Sequence, residues 1–174
     1  MKRTIPILAF IFVVLMSCQN DKTETISGDH DTKKQTEQNN IALVKKMLIE
    51  GDNANPSFMD EITDPNYKYY LPSNNAPLSL PEHKQFWESV NQSFPDLTHS
   101  IKEIFAVDDK VVARLIVSGT HQGEFAGIPP SGTFVEVGQI IICQFKDGKL
   151  LELREEVDLL GLYQQLGMEL KPKQ

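Results

Sequence analysis

The chain has 174 residues, of which 40% are hydrophobic, and its formal net charge at pH 7 is −7. This length allows one domain to bury a sizeable core without disulfide bonds, and it leaves no room for a second domain. An acidic surface repels phosphate backbones, so we expect no nucleic-acid partner.

The first 17 residues have the layout of a signal peptide. Lys2 and Arg3 form a basic start, residues 5–16 are apolar, and Ser17 is a small residue near the cleavage point. The apolar stretch is shorter than the roughly 20 residues that a membrane-spanning helix needs. Removal of the leader takes two positive charges away, so the net charge falls from −7 to −9.

Residues 15–18 read Leu-Met-Ser-Cys and resemble a bacterial lipobox. The resemblance implies that Cys18 is lipidated and becomes the mature N-terminus, which would anchor the protein in the cell envelope. The competing interpretation is an ordinary secretory leader with an incidental cysteine.

A polar segment follows the leader. Ile26 is the only sizeable apolar residue between residues 19 and 37, so this segment buries too little surface to offset its chain entropy. We therefore predict a flexible, lipidated tether over residues 18–37, and a folded domain over residues 38–170.

Helical spacing begins where the tether ends. Apolar residues from Asn40 onward predict a helix that ends at Gly51, a favoured C-terminal residue. A short helix is predicted at 56–62, a strand at 67–71 and a third helix at 81–90, both helices having proline in the first turn.

The remaining segments alternate between apolar and polar residues. This pattern predicts strands at 98–107, 110–121, 134–145 and 149–157, with Asp147-Gly148 as a tight hairpin turn. Helices followed by a strand meander indicate the α+β class.

Two motifs carry a family resemblance. Residues 119–132 read Gly-Thr-His-Gln-Gly-Glu-Phe-Ala-Gly-Ile-Pro-Pro-Ser-Gly, and residues 158–167 read Asp-Leu-Leu-Gly-Leu-Tyr-Gln-Gln-Leu-Gly. Together they resemble the SnoaL-like polyketide (ester) cyclases of the nuclear transport factor 2-like superfamily, over residues 38–168. The resemblance implies a cone-shaped α+β barrel, with N-terminal helices on a curved antiparallel sheet. Its pocket would bind a small, apolar, carbonyl-containing molecule without a cofactor, for isomerisation, cyclisation or hydrolysis.

Asp158 matches the aspartate that acts as acid and base in the characterised cyclases. The resemblance implies that this carboxylate faces the pocket, where desolvation would raise its pKa into a range suited to proton transfer. The competing interpretation is that Asp158 only caps the last helix. The two roles are compatible.

His121 is the second candidate catalytic residue. Its imidazole would titrate near neutral pH and could orient a carbonyl group. The alternative is that it organises the following loop by hydrogen bonding, and Glu124 with residues 127–132 would then shape the mouth of the barrel.

The chain departs from the family pattern at two positions. Gln144 stands where the cyclases carry a histidine that assists the aspartate, and Gly51 falls at or beside the position of their tyrosine. An amide takes up no proton at neutral pH. The substitutions favour an alternative function, a non-catalytic ligand-binding or dimerisation module of the same fold.

Strand alternation extends the candidate site. If Asp158 points inward, Arg154 and Glu156 share its face, and Gln144 lies on the neighbouring strand. Trp87 and Tyr69 would supply aromatic walls. The competing interpretation is that the charged face is solvated and that the core lies on the side of Leu153.

Other chemistries lack a signal in the sequence. The chain has no metal-ligand spacing, phosphate-binding glycine loop or nucleophile elbow, so we expect neither a metal nor another cofactor. Cys143 lies in a predicted strand, and we expect no disulfide with Cys18. A homodimer through the outer face of the sheet is a further expectation from the fold family.

Overall fold

A computed structural model describes residues 21–72, 76–169 and 171–172. The predicted leader and the predicted lipidation site at Cys18 lie outside these residues, so both stay predictions.

The described chain forms four helices and five strands, which confirms the α+β class. In chain order they are α1 (Asp21–Asp52), α2 (Phe58–Ile62), β1 (Thr63–Tyr70), α3 (Leu80–Ser93), β2 (Thr98–Val107), β3 (Lys110–Thr120), β4 (Phe134–Lys146), β5 (Lys149–Val157) and α4 (Leu159–Gln165).

The five strands form one sheet in the order β1-β5-β4-β3-β2. Strands β2 to β5 pair antiparallel, as the alternating pattern predicts. Strand β1 pairs parallel with β5, so the expectation of a wholly antiparallel sheet is wrong at this edge. A parallel pair needs a long crossover, and α3 with the three intervening strands provides it.

Tight turns join the strands of the meander. At the β4–β5 turn, Asp147 has φ 50° and Gly148 has φ 74°. Two successive positive φ angles match the right-handed twist of the paired strands, which explains the Asp-Gly sequence at this point.

Helix α1 begins at Asp21, about 20 residues before the predicted start. Residues 21–37 are therefore helical, and the prediction of a flexible tether over this segment is wrong. Buried Val44 and Leu48 fix the later turns of this helix, so each further residue extends an existing helix without a new nucleation cost. Side chains from residue 30 to residue 36 are exposed, so these seven residues add nothing to the core.

The extension contacts the β2–β3 turn. The Nζ atom of Lys33 lies 2.5 Å from Asp108 Oδ1, and Glu37 Oε1 accepts a hydrogen bond from the backbone N–H of Asp108 at 2.9 Å. Within the described part of the chain, no helix is long and apolar enough to cross a membrane.

The sheet has a buried face and an exposed face. Along β4, Val135, Val137, Gln139, Ile141 and Cys143 are buried, whereas the residues between them are exposed. The buried face packs against α1, α2 and α3 around one core, and against α4 around a smaller second core. The candidate site lies on this inner face.

Candidate functional site

A cavity of about 550 Å³ opens on the inner face of the sheet. Its size lies within the range of small-molecule pockets, which are mostly apolar with a few polar groups. Its apolar walls come from α1, α3, α4, the sheet and the loop after β3, and include Leu48, Phe86, Phe94, Phe125, Val137 and Leu162.

Glu155 is a carboxylate of the sheet that enters this cavity. Leu153, Glu155 and Val157 alternate along β5, and all three line the cavity wall. Strand alternation therefore points the odd-numbered residues from Leu153 to Val157 inward. An acidic side chain between a leucine and a valine on the inner face is the unusual feature of this strand.

Two neutral groups hold Glu155 in place. The hydroxyl of Tyr69 on β1 donates a hydrogen bond to Glu155 Oε2 at 2.5 Å. The side chain of Gln139 on β4 also hydrogen-bonds to Glu155. The carbonyl oxygen of Gln139, in contrast, is buried without a partner among the described residues.

The surroundings of Glu155 favour its neutral form. Burial raises the pKa of this carboxyl group, and the hydrogen bonds from Tyr69 and Gln139 offset part of that rise. Burial, together with the nearby charge of Glu155, also raises the pKa of Tyr69, so the phenol keeps its proton and remains a donor. A carboxyl group of this kind exchanges a proton more readily near neutral pH than an exposed one does.

An aromatic stack forms one wall beside Glu155. The ring of His83 lies between Tyr69, at 3.8 Å between ring centroids, and Trp87, at 5.4 Å. Nδ1 of His83 is hydrogen-bonded to the hydroxyl of Tyr67 at 2.9 Å. Burial lowers the pKa of His83 to about 3, so this imidazole is neutral at physiological pH.

A histidine–aspartate pair forms a second polar wall. His99 at the start of β2 lines the cavity, and its Nδ1 atom lies 2.5 Å from Oδ1 of Asp52, the last residue of α1. The other carboxylate oxygen of Asp52 accepts a hydrogen bond from the backbone N–H of His99 at 3.1 Å.

Trp87 occupies the space that Gly51 leaves open. A Cβ atom at position 51 would lie 1.8 Å from Cζ2 of Trp87. The absence of a side chain at this helix position is therefore a packing requirement, since the indole lies directly against the backbone of α1. Trp87 and Tyr69 both line the cavity, as the sequence predicts.

Asp158 lies outside the cavity, so the prediction that it faces inward is wrong. Its carboxylate is exposed and accepts a hydrogen bond from the backbone N–H of Gly161 at 2.8 Å, which caps α4. A Cβ atom at Gly161 would come within 2.3 Å of Asp158 Oδ2, so the glycine makes room for the cap.

Three further predicted residues also lie outside the cavity. Arg154 and Glu156 are exposed on the outer face, where Arg154 pairs with Glu152 at 2.9 Å. Gln144 donates to Asp109 Oδ2 at 3.2 Å near the β2–β3 turn. The competing interpretation, a solvated charged face with the core on the side of Leu153, is therefore correct.

His121 is fully buried and organises the loop after β3. Its Nδ1 atom accepts a hydrogen bond from the backbone N–H of Ser131 at 3.3 Å, and its backbone pairs with Thr133 and Gly132 at 2.9 Å each. The ring stacks on Phe94 with centroids 5.3 Å apart and does not line the cavity. The loop-organising interpretation fits this geometry.

Sequence reasoning missed Glu155, Gln139, His83, His99 and Asp52. The available signal for Glu155 was its place between Leu153 and Val157, once those two residues are assigned to the inner face. The pairing of Asp52 with His99 joins residues 47 positions apart and has no local signal. Across residues 21–72, 76–169 and 171–172, no cluster of three His, Cys, Asp or Glu side chains could hold a metal ion.

Known proteins share this architecture. A SnoaL-like polyketide cyclase from Jannaschia sp. CCS1 superposes with a TM-score of 0.71 at 26% identity, over 77% of this chain and 95% of that one. AclR of Streptomyces galilaeus, described as a hydroxylase, superposes with a TM-score of 0.68 at 30% identity, over 76% of this chain and 83% of its own.

Sequence relatives are similar over a shorter stretch. Aklanonic acid methyl ester cyclase AcmA of Streptomyces galilaeus is 42% identical over 59 residues, which is 34% of this chain and 41% of AcmA. DnrD of Streptomyces peucetius, which has the same activity name, is 39% identical over 33% of this chain and 39% of its own length. The aligned stretches thus span well under half of these relatives.

The family model described as SnoaL-like polyketide cyclase matches residues 42–166, which contain the whole sheet and every polar group of the cavity. The chain belongs to the SnoaL-like polyketide cyclase family.

Proposed function

We propose that this protein binds a small, neutral, largely apolar molecule with a carbonyl group, and that Glu155 moves a proton to or from a carbon next to that carbonyl. The observation that carries the proposal is the inward carboxyl group of Glu155, held by Tyr69 inside an apolar cavity. The cavity walls are mostly apolar, and a charged ligand would lose its hydration against them, which favours a neutral one.

The chemistry follows from the environment of Glu155. In its ionised form the carboxylate is a base, and burial makes it a stronger base than an exposed glutamate. Removing a proton from carbon leaves an electron pair that the neighbouring carbonyl oxygen accepts. Return of the proton to a different atom completes an isomerisation. In a cyclisation the carbanion attacks a second carbonyl, and the proton held by Glu155 then passes to the resulting alkoxide.

The named relatives support the choice of test substrate. AcmA and DnrD are called aklanonic acid methyl ester cyclases, so that ester is the first compound to assay. Smaller aromatic ketones and keto esters test the same step through exchange of the proton next to the carbonyl for deuterium.

The decisive variant is Glu155→Gln, which keeps the shape of the side chain and removes the base. We expect a loss of turnover or exchange of about 10²–10⁴-fold with the fold retained. Asp158→Asn is the matched control, because asparagine caps a helix about as well as aspartate. Equal rates in wild type and Glu155→Gln would refute the proposed role.

A non-catalytic ligand-binding or dimerisation module is the second candidate function. It is favoured by the positions of Asp158 and Gln144, since these family-matched positions lie outside the cavity. Saturable binding of aromatic ketones, with no exchange above the buffer rate, would establish this alternative.

A homodimer is also part of the proposal. Ile140 and Ile142 on the outer face are 43% and 38% exposed, and such residues favour contact with a second sheet. Sedimentation equilibrium of wild type and Ile140→Lys tests it, because a charge at this position would dissociate a dimer of this kind.

We also propose that Cys18 is lipidated and anchors the protein to the cell envelope. Metabolic labelling with an alkyne fatty acid would mark the wild type but not Cys18→Ser. Equal labelling, or a wild type found wholly in the soluble fraction, would refute the anchor.

A further inference from the structure

The pocket contains a second proton-active group besides Glu155, the imidazole of His99. Asp52 binds His99 twice, through Nδ1 at 2.5 Å and through the backbone N–H at 3.1 Å. The side chains of Asp52 and His99 are 21% and 9% exposed, so the pair is largely shielded from water. This double contact fixes the rotation of the ring.

The contact with Asp52 also selects the tautomer of His99. An ionised carboxylate is only an acceptor, so Nδ1 carries a proton and donates it to the hydrogen bond. In the neutral ring, the lone pair therefore lies on Nε2. Nε2 makes no hydrogen bond within the described part of the chain, although the ring lines the cavity.

His99 and Glu155 line the same cavity from two different strands of the sheet. His99 lies on β2 at one edge, and Glu155 lies on β5, three strands away in the strand order. The charge of protonated His99 is felt at Glu155, where it lowers the pKa of the carboxyl group. The remaining polar groups that line the cavity around His99 and Glu155 include Tyr69, His83, Gln139 and Glu124.

We propose that His99, oriented by Asp52, is the second proton-transfer group of this pocket, and that its ring, when protonated, donates the Nε2–H to the carbonyl oxygen of the ligand. This inference rests on the proposed function of Glu155 and extends it. The ligand class it implies is a neutral ketone or keto ester whose carbonyl oxygen lies near β2 while the adjacent C–H bond faces β5.

The step balances without a further reactant. The carboxylate of Glu155 takes the proton from carbon, and the C–H electron pair forms a C=C bond. The π electrons of the carbonyl move to oxygen, which takes the Nε2 proton of the protonated His99 ring. The products are an enol, a neutral imidazole and a protonated Glu155, and the reverse transfers return both groups to their starting state.

The first experiment measures contact with the ligand, independently of turnover. Protein labelled with ¹⁵N-histidine is titrated with 1-naphthol, a planar probe with one hydroxyl donor, and saturation is followed by the fluorescence of Trp87, the only tryptophan. We expect the Nε2 resonance of His99 to shift by several ppm, because Nε2 would accept the hydroxyl hydrogen bond. Saturable binding without a shift at His99 would overturn the proposal.

The second experiment measures proton transfer to 1-tetralone in D₂O by NMR. His99→Asn keeps a side-chain donor for Asp52 but has no titrating ring, and we expect its exchange kcat to fall at least about 10²-fold with KM within threefold. Asp52→Asn should give a smaller loss and an altered pH profile, since Asp52 acts only through His99. Asp158→Asn serves as the unchanged control.

The pattern of variants separates the two proposals. Loss of exchange in Glu155→Gln with full exchange in His99→Asn overturns the role of His99 alone. Loss in His99→Asn with full exchange in Glu155→Gln overturns the role of Glu155, and an inactive wild type overturns both proton-transfer roles.

Discussion

Tyr69 and Glu155 meet across the parallel edge of the sheet, where the phenol donates to Glu155 Oε2 at 2.5 Å. Tyr69 pairs with Leu153 in the register of β1 and β5, and Glu155 follows two residues later on the same face. The parallel strand therefore brings the donor to the carboxyl group, and the contact depends on the one sheet edge that departs from antiparallel pairing.

Removing the Tyr69 hydroxyl should raise the pKa of Glu155. The hydrogen bond from Tyr69 stabilises the ionised carboxylate and so lowers its pKa, against the larger effect of burial. In Tyr69→Phe we expect the carboxyl ¹³C resonance of Glu155 to titrate at higher pH than in wild type. A midpoint that stays in place or falls would show that the hydrogen bond does not favour the ionised form.

The stability of Glu155→Gln should exceed that of wild type increasingly as pH rises. Burial raises the folded-state pKa of Glu155 above 4.5, its ordinary value. Between the two pKa values the folded protein holds a proton that the unfolded chain has lost, so the free energy of unfolding of wild type falls with rising pH. The slope is at most about 1.4 kcal/mol per pH unit, and the Glu155→Gln variant lacks it because an amide does not titrate.

Urea titrations of wild type and Glu155→Gln at pH 4, 6 and 8 measure this difference. We expect the gap in the free energy of unfolding to widen with pH and then level off above the folded-state pKa. A constant gap would mean that Glu155 titrates equally in the folded and unfolded states.

His83 should remain neutral in the folded protein down to acidic pH. Its folded-state pKa of about 3 lies below the ordinary value of 6.5, so the unfolded chain takes up a proton first as pH falls. This group therefore lowers stability progressively from pH 6.5 toward pH 3 and has no such effect at higher pH. Imidazole NMR should show no titration of His83 between pH 7 and 5, and a midpoint inside that interval would contradict the prediction.

Replacement of Gly51 by alanine should displace Trp87. The new Cβ would lie 1.8 Å from Cζ2 of the indole, which is far inside van der Waals contact. Overpacking of this kind costs about 1–3 kcal/mol, more than the roughly 1 kcal/mol that alanine gains over glycine in a helix. We expect a lower free energy of unfolding and a shifted emission maximum of Trp87.

Gly138→Ala is the control for this change, because no atom beyond the adjacent residues of the chain lies within 4 Å of a Cβ at that position. Its stability and tryptophan emission should stay close to wild type. If Gly51→Ala and Gly138→Ala change the free energy of unfolding and the tryptophan emission equally, the close contact between position 51 and Trp87 is not the cause of the change.

Asp158 should matter for stability and not for ligand affinity. Asp158→Ala removes the acceptor for the Gly161 N–H and should cost about 1 kcal/mol, whereas Asp158→Asn should cost little. Thermal unfolding and 1-naphthol affinity of the two variants check this. A changed affinity for 1-naphthol with unchanged stability would show that Asp158 contributes to ligand binding and not to the stability of the fold.

Residue patterns alone determined much of this fold. The bounds of β2 and β5 match their alternating segments to the residue, and the Asp147-Gly148 turn has the positive φ angles that its sequence requires. These features are local, because side-chain alternation and turn conformation depend on residues within a few positions of one another. The family resemblance over residues 119–132 and 158–167 is likewise readable from sequence, and the family model confirms it.

Only the tertiary structure decided which face of β5 is inside. Alternation shows that Leu153 and Arg154 point in opposite directions, but it is equally consistent with either face being buried. Packing of α1, α3 and α4 on the side of Leu153 places Glu155 in the cavity and leaves Asp158 to cap a helix. The pairs Tyr69–Glu155 and Asp52–His99 join residues 86 and 47 positions apart, and contacts at such separations arise from the packing of whole elements rather than from local pattern.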